Sequence, residues 1–513
     1  MKTDKILIVG GGSAGWMTAA TLIAKFPNKD ITLIEHPEIP YTGVGESTLG
    51  QIRQWLNYIG LQENDFIKET DAIIKLSIKF TDFYKKGESF HYPFGAPQLK
   101  GNLFETNDWW FKKIKDPSTP NSNFAETMYP VMSMINQNTF ALKSEVELNF
   151  NYQNGTALHF DAIKFAAWLR DNFCIPKGVK HILKKITKIE GSQEEGITSV
   201  EDLDADLYID CTGSHSALIG KLHHGWISYR DILPNNSAIA TQIPYKDKEK
   251  EIVPYTECTA VENGWVWNIP LWSRRGCGFV YSDDFMTRHE ADAWFRDYLK
   301  DDSLKFKHID FPVGIQQKLW AKNCVAIGMS AAFIEPLEST GLFTVHEFLV
   351  KLCRELEAGS ITDINRSNFN YSCHLQFREL AEFVSTHYAL SKRDDSKYWR
   401  FLTQNRDYNT ISLEDPKIYP FIGLKKTLYD RNRNNIYPHD EGISCIAAGM
   451  NFAPVDRHTI QYENNAPTLD TYLDAWKPCI QRLDERKKQW DNISKKYPSY
   501  YDWLKKRFYE DSE

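Results

Sequence analysis

The chain reads as an α/β protein, and three features carry that reading. A short apolar run meets a cluster of glycines and a helix at the very start. Alternating apolar strands fill the middle, and helical periodicity dominates beyond residue 343. In order, Ile6–Val9 predicts a buried strand ending at Gly10, and Ser13–Lys25 a helix with Ala19, Ala20, Leu22 and Ile23 on its apolar stripe. Ile31–Ile34 predicts a second strand, which completes a β-α-β unit. Residues 41–75 read as a loop followed by helical segments, and 86–160 as turn-rich and aromatic without long helices. Phe160–Arg170 reads as helical, Leu207–Asp210 as a strand, 237–282 as alternating strands, and Cys324–Ile327 as a buried strand with a helix after Gly341. The stretch 405–460 reads as irregular, and Trp503–Phe508 as a solvated amphipathic surface helix.

Composition narrows the function classes. A net charge of −7 over 513 residues, with no basic block, argues against a nucleic-acid partner. Nine scattered cysteines without a C-x-x-C pair suggest neither a disulfide framework nor a zinc site, and fit a reducing cytoplasm. No signal-peptide core and no membrane-length apolar run is present, so a soluble protein is expected. The 15 Trp, 25 Tyr and 29 Phe serve first as core fillers, and second as walls for flat ligands.

Gly10-Gly11-Gly12-Ser13-Ala14-Gly15 is G-x-G-x-x-G between a strand and a helix, the context in which that motif binds a dinucleotide. Gly10 permits the tight turn, Gly12 lets a pyrophosphate approach, and Gly15 lets helix and strand pack closely. The N–H groups from Gly12 through Ser13 and Ala14 then face the phosphates with the helix dipole behind them. Glu35 ends the second strand, where a carboxylate accepts bonds from a ribose diol. No second fingerprint for NAD(P)H is found. The segment Val325–Pro336, with Gly328 and then Gly341, resembles the second flavin-contacting segment of FAD-dependent aromatic hydroxylases, with Met329 where those enzymes usually carry Asp. Asp206–Gly213 resembles their strand-turn element near the adenine end.

Three further motifs sharpen this. Gly264-Trp265-Val266-Trp267-Asn268-Ile269-Pro270 contains W-x-W-x-I-P; Glu335-Pro336-Leu337-Glu338-Ser339-Thr340-Gly341 is E-P-L-E-S-T-G; and Gly43–Thr48 follows the second strand. With the fingerprint, with Ile74–Phe80, with His159-Phe160-Asp161 and with His387-Tyr388 followed by Arg393-Asp394-Asp395 and Trp399, the chain resembles the flavin-dependent halogenases, in particular the tryptophan halogenase branch. The resemblance covers most of the chain. It implies a Rossmann-like FAD-binding module of the GR2 flavin-monooxygenase type over 1–350. Substrate-side β segments would interleave at about 81–159 and 226–299, and a mainly helical C-terminal part would occupy 351–513.

The resemblance implies that reduced FAD and oxygen oxidise halide to hypohalous acid, which reaches a separate aromatic site. It implies cofactor contacts at Gly10, Gly12, Ser13, Ala14, Gly15, Glu35, Gly45, Glu46, Ser47, Ile186, Met329 and Leu342. Thr340 and Gly341 match the halide site, where helix-start N–H groups bind an anion. Lys75 matches the catalytic lysine, either as an ammonium that hydrogen-bonds hypohalous acid or as a neutral amine that forms a haloamine; burial disfavours the charged form of a lysine. By residue type alone Lys75 is a lysine with its stem on apolar surface and its head in water, and Lys79 serves as its internal control. Glu338 matches the catalytic glutamate, a general base toward the ring intermediate, and it also suits the positive end of a helix. Ser339 contacts substrate or couples the flavin and substrate sites. Trp265 and Trp267 act as a gate that keeps substrate from the flavin.

Tyr92 and Phe94, in Phe90–Gly95, are expected to stack on a flat aromatic substrate. The head-group grip of free-tryptophan enzymes does not map onto Arg431–Gly442, so a more open site for indoles or phenols is expected, with chloride, bromide or iodide as halide. A separate flavin reductase is implied as partner, and homodimers are common in the family. Two other readings carry their own signatures. An FAD-dependent aromatic hydroxylase would need substrate at the flavin, against Trp265 and Trp267. A non-catalytic flavin-binding protein could discard Lys75 and Glu338, which are both present.

Overall fold

The computed structural model describes residues 1–38, 46–98, 106–222, 224–404, 440–452, 474 and 477–510. Contacts divide the chain into two units. The first comprises Met1–Ile73, Ala157–Tyr245 and Leu271–Ala381; the second comprises Ile74–Thr156, Lys246–Pro270 and Glu382–Glu513.

The first unit is built on a six-stranded sheet ordered Trp320–Ala321, Cys324–Ala326, Leu207–Asp210, Lys5–Val9, Asp30–Glu35 and Lys180–Leu183. All pairs are parallel except the first, an antiparallel edge. Ile6, Ile8, Leu33, Ile34, Leu207 and Ile209 are fully buried or nearly so, as both-face burial of a parallel sheet requires. The helix Ser13–Lys25 covers this sheet and packs on the helix Thr340–Leu356. The unit also holds three antiparallel strands, Lys307–Asp310, Ser237–Ile243 and Arg275–Tyr281, the smaller set Trp226–Ser228, Gly314–Gln316 and Ala332–Phe333, and the antiparallel pairs Glu46–Ser47 with Ala157–Phe160 and Ile189–Ser192 with Gly196–Val200.

In the second unit the strands run Gly264–Pro270, Tyr255–Val261, Ser77–Thr81 and Ser89–Pro93. The middle pair is parallel and the outer two are antiparallel. The helix Asp440–Gly449 lies on Ser89–Pro93. Its glycines fall seven apart on one face. A Cβ at Gly442 would stand 2.6 Å from the Tyr92 ring, and one at Gly449 would stand 2.2 Å from Phe90.

The expected first β-α-β unit is present with the helix bounds Ser13–Lys25. Elsewhere the structure corrects the reading. The aromatic stretch after residue 86 holds the short helices Thr106–Lys115, Asn123–Met128, Val131–Gln137 and Ser144–Glu147, each too brief to show a clear apolar period. Phe160 ends a strand; Asp161 then caps Ala162–Trp168, and the chain continues as a π-helix to Cys174. Within 405–460, taken as irregular, Asp440–Gly449 is helical. Trp503 and Leu504 are buried, so only Lys505–Arg507 behave as the solvated face expected for that segment.

Among the described residues no helix is long and apolar enough to cross a membrane, and no cluster of three or more His, Cys, Asp or Glu could hold a metal. None of the nine cysteines forms a disulfide; eight are buried, and Cys479 is half-buried.

Candidate active site

In the first unit the site is made by backbone. Gly10 has φ +110°, and a Cβ there would stand 2.3 Å from the Cys211 carbonyl oxygen. A Cβ at Gly15 would stand 1.9 Å from the Gly10 oxygen. Only glycine fits either place. Gly12, the N-cap of the helix, is the opposite case: a Cβ there meets nothing within 4 Å. Tight packing at Gly10 and Gly15 with open space at Gly12 fits a pyrophosphate at a helix start. Glu35 is buried beside this turn, and a Cβ at Gly11 would collide with its carboxylate. His181 holds that carboxylate at 2.7 Å, a partner that sequence spacing did not reveal. Ile186 lies half-buried just after the edge strand Lys180–Leu183.

Two later segments close on the same turn. Gly328 has φ +76°, and a Cβ there would stand 2.7 Å from that of Ala14, so the turn bearing half-buried Met329 sits against the fingerprint. The Asp210 carboxylate accepts from the N–H groups of Thr212, Leu218 and Ile219 and from the Thr212 hydroxyl, which fixes the loop after the central strand. Burial raises its pKa against those bonds.

The E-P-L-E-S-T-G segment leads into Thr340–Leu356. Glu335 is fully buried and takes a 2.7 Å bond from Asn235. Glu338 is buried. Ser339 caps the helix at φ +59°, a left-handed conformation uncommon for serine, and its hydroxyl donates to that of Ser47 at 2.9 Å. Thr340 is buried, and its hydroxyl has no hydrogen-bond partner among the described residues. A Cβ at Gly341 would point into open space. Leu342 is buried one residue on. An unpartnered hydroxyl and an open Gly341 at a helix start fit a small anion.

Glu46 and Ser47 pair with Phe160 and His159. Burial, with the Asp161 carboxylate adding to it, pushes the Glu46 carboxyl up to about 7. Gly45 and 431–439 of the Arg431–Gly442 stretch lie outside the described residues.

The second unit builds with side chains. Lys75 is 0% exposed, and its Nζ lies 4.9 Å from the centroid of the Phe94 ring. The next residue back, Ile74, accepts the Tyr500 hydroxyl through its carbonyl. Lys79 differs in every respect. It is partly exposed and ion-paired to Glu257 at 2.9 Å; burial lowers its pKa, but that carboxylate outweighs burial and leaves it raised. Tyr92 is half-buried and Phe94 buried, with ring centroids 5.9 Å apart at 84°, so the two rings meet edge to face. Phe383 approaches Tyr92 at 6.2 Å. Sequence reasoning missed Phe383 and Gly442, because a ring contact across the chain and a glycine in a helix have no local spacing. Trp265 and Trp267 share one face of their strand, are buried, and stand 6.1 Å apart at 57°. The Trp267 indole N–H has no hydrogen-bond partner among the described residues.

The comparisons with known proteins agree on one family. The family model described as "Tryptophan halogenase" matches residues 5–460. Tryptophan 6-halogenase SttH of Streptomyces toxytricini is 31% identical over 470 residues, covering 86% of this chain and 87% of that protein. Among solved structures, the VirX1 apo structure aligns at a TM-score of 0.88 with 33% identity over the whole of both chains. Tar14, a tryptophan C-6 flavin-dependent halogenase (chlorinase) from taromycin biosynthesis, aligns at 0.81 with 29% identity, covering 98% of this chain and 99% of that one.

Proposed function

This chain belongs to the tryptophan halogenase family of FADH2-dependent halogenases, and from that premise we propose that it halogenates an electron-rich indole- or phenol-like ring through Lys75 and Glu338. The observation that carries the proposal is the burial of Lys75, whose charged neighbour Lys79 is ion-paired and partly exposed four residues away. Full burial is uncommon for a lysine, whose ammonium is strongly hydrated. Bound FADH2, with oxygen and a halide, supplies hypohalous acid. Gly10, Gly12, Ser13, Ala14, Gly15, Glu35, Ile186, Met329 and Leu342 are assigned to hold the dinucleotide, with Gly45, Glu46 and Ser47, which follow the second strand in sequence. The N–H groups of Thr340 and Gly341 are assigned the halide.

Lys75 then holds the oxidant: as an ammonium it hydrogen-bonds the oxygen of hypohalous acid and raises the electrophilicity of the halogen, or as a neutral amine it takes the halogen as a haloamine and releases water. Glu338 stabilises the cationic ring and takes the proton that the halogen displaces. Tyr92 and Phe94 present ring surface to the substrate, Ser339 orients it, and Trp265 and Trp267 exclude it from the flavin. A flavin reductase supplies FADH2, and the protein acts in the cytoplasm.

Incubation with a flavin reductase, FAD, NADH, oxygen, bromide and indole, read by mass spectrometry, tests this. Brominated indole that disappears in Lys75→Ala while flavin oxidation continues is the expected result. Hydroxylated product without bromine would replace the proposal with a monooxygenase.

A further inference from the structure

We propose that Asp71 is a positioning residue for the chemistry assigned to Lys75, as the anchor of a hydrogen-bonded clamp inside the first unit. The inference rests on the functional reading above. The chain leaves the first unit after Ile73, returns at Ala157, leaves again after Tyr245 and returns at Leu271. Lys75 lies just beyond the first crossing, and Trp265 and Trp267 just before the return at Leu271.

At the first crossing Asp71 is buried and holds φ +54°. That conformation costs a non-glycine residue about 1 kcal/mol and persists only where its surroundings enforce it. Its carboxylate oxygen accepts from Lys164 Nζ at 2.5 Å and from the Ser273 hydroxyl at 2.8 Å. Its carbonyl accepts from the Trp272 N–H at 2.9 Å. Ser273 and Trp272 belong to the turn at the return at Leu271, which is closed by the Leu271 N–H on the Arg274 carbonyl. One residue earlier, the Thr70 carbonyl accepts the Asp161 N–H, and the Asp161 carboxylate caps the helix Ala162–Trp168 while taking Arg274 at 2.6 Å. Two aspartates thus bind one turn and one helix start to the residues that launch the Lys75 strand. Lys164 is half-exposed, so its ion pair adds little; the bonds to the turn carry the clamp.

The strand that follows has no slack. Ile73 and Ile74 are fully buried. A backbone rotation at Asp71 re-aims the residues after it, and a one-residue slip would turn Lys75 to the opposite face.

The test compares Asp71→Ala, Asp71→Asn and Ser273→Ala by two readings. The first is halogenated product formed per flavin reoxidised, and the second is hydrogen exchange of the peptide 72–80. For Asp71→Ala we expect product per flavin to fall about tenfold or more, as misplacement of a reacting group does, with flavin reoxidation unchanged. Exchange at 72–80 rises about tenfold without a matching rise across the rest of the unit. Asp71→Asn, which keeps an acceptor and tolerates the left-handed conformation, restores most of both. Ser273→Ala falls between them, and it carries the test if Asp71→Ala does not fold. Unchanged product per flavin in a folded variant, or an exchange rise spread evenly over the unit, overturns the clamp. If the wild type gives no halogenated product, the functional reading fails instead. Exchange at 72–80 then decides the clamp alone, a local rise supporting it and no rise refuting it.

Discussion

Around the fingerprint of the first unit, atoms that are absent do the work. Gly10 and Gly15 lack a Cβ because another backbone stands there, and Gly12 and Gly341 lack one where space is open. Around Lys75 in the second unit the work is done by bulk: Phe94 under the ammonium, Tyr92 against Gly442, Phe383 against Tyr92, and two tryptophans on one strand face. Backbone sites constrain what a residue must not have; side-chain sites constrain what it must be. Substitutions should therefore fail differently in the two regions.

The largest effect tests the second region against itself. Lys75→Ala should lower halogenated product about 10³-fold, the scale of a lost group that acts on the reacting atoms, while Lys79→Ala changes it less than about threefold because an exposed ion pair contributes little. Product quantified by mass spectrometry, beside flavin reoxidation followed by absorbance, checks both. Equal losses would remove the distinction between the two lysines.

Next comes the first region. Gly15→Ala forces a Cβ onto the Gly10 carbonyl and should destabilise the fold by about 3 kcal/mol or more, read as a fall in Tm. Gly12→Ala finds open space, so its Tm should hold while FAD affinity in a fluorescence titration drops about tenfold. A Gly12→Ala variant with a lowered Tm and unchanged affinity would mean that this glycine serves the fold.

Gly442→Ala gives a smaller effect. The added methyl presses on the Tyr92 ring and should cost about 1–3 kcal/mol of overpacking, offset by about 1 kcal/mol of helix propensity. The expected result is a raised KM for the aromatic substrate with flavin reoxidation unchanged. No change in KM would separate Tyr92 from the substrate.

The smallest effect is on pH. Glu46 has its pKa raised by burial and by Asp161 to about 7, above its value in the unfolded chain. The folded protein therefore holds a proton there that the unfolded chain releases at lower pH. That contribution is present in full below about 4.5, the unfolded value, and is lost as pH rises to about 7. Tm should fall over this window, and Glu46→Gln should flatten the fall. A Glu46→Gln profile parallel to the wild type would exclude Glu46 as the titrating group.

The same contrast explains what was legible in the sequence. The β-α-β start was readable to within one residue at each end, because strand, glycines and helix are local, and each glycine has a reason within a few positions. Lys75 was legible only through resemblance, since a buried lysine and a surface lysine look alike in a strand. His181 on Glu35, Phe383 on Tyr92 and Asn235 on Glu335 join residues at least 100 apart and leave no periodic trace. The helix Asp440–Gly449 escaped because its two glycines, which let it lie against Phe90 and Tyr92, read as breakers. Trp503 and Leu504 were misread as surface because three basic residues follow them.

The nine cysteines have a meaning for endurance. An enzyme working by the proposed route, through hypohalous acid, carries its own most oxidisable targets, and a thiol reacts fastest as thiolate. Eight of the nine are walled off in the core. Burial holds Cys277 and Cys353 at about 12 and raises Cys174, Cys211, Cys324 and Cys373 as well, so these thiols are both out of reach and in their unreactive form. Cys479, half-buried beside Arg482, is then the thiol expected to oxidise first if hypohalous acid escapes the proposed route, and its oxidation state in spent enzyme would record that escape.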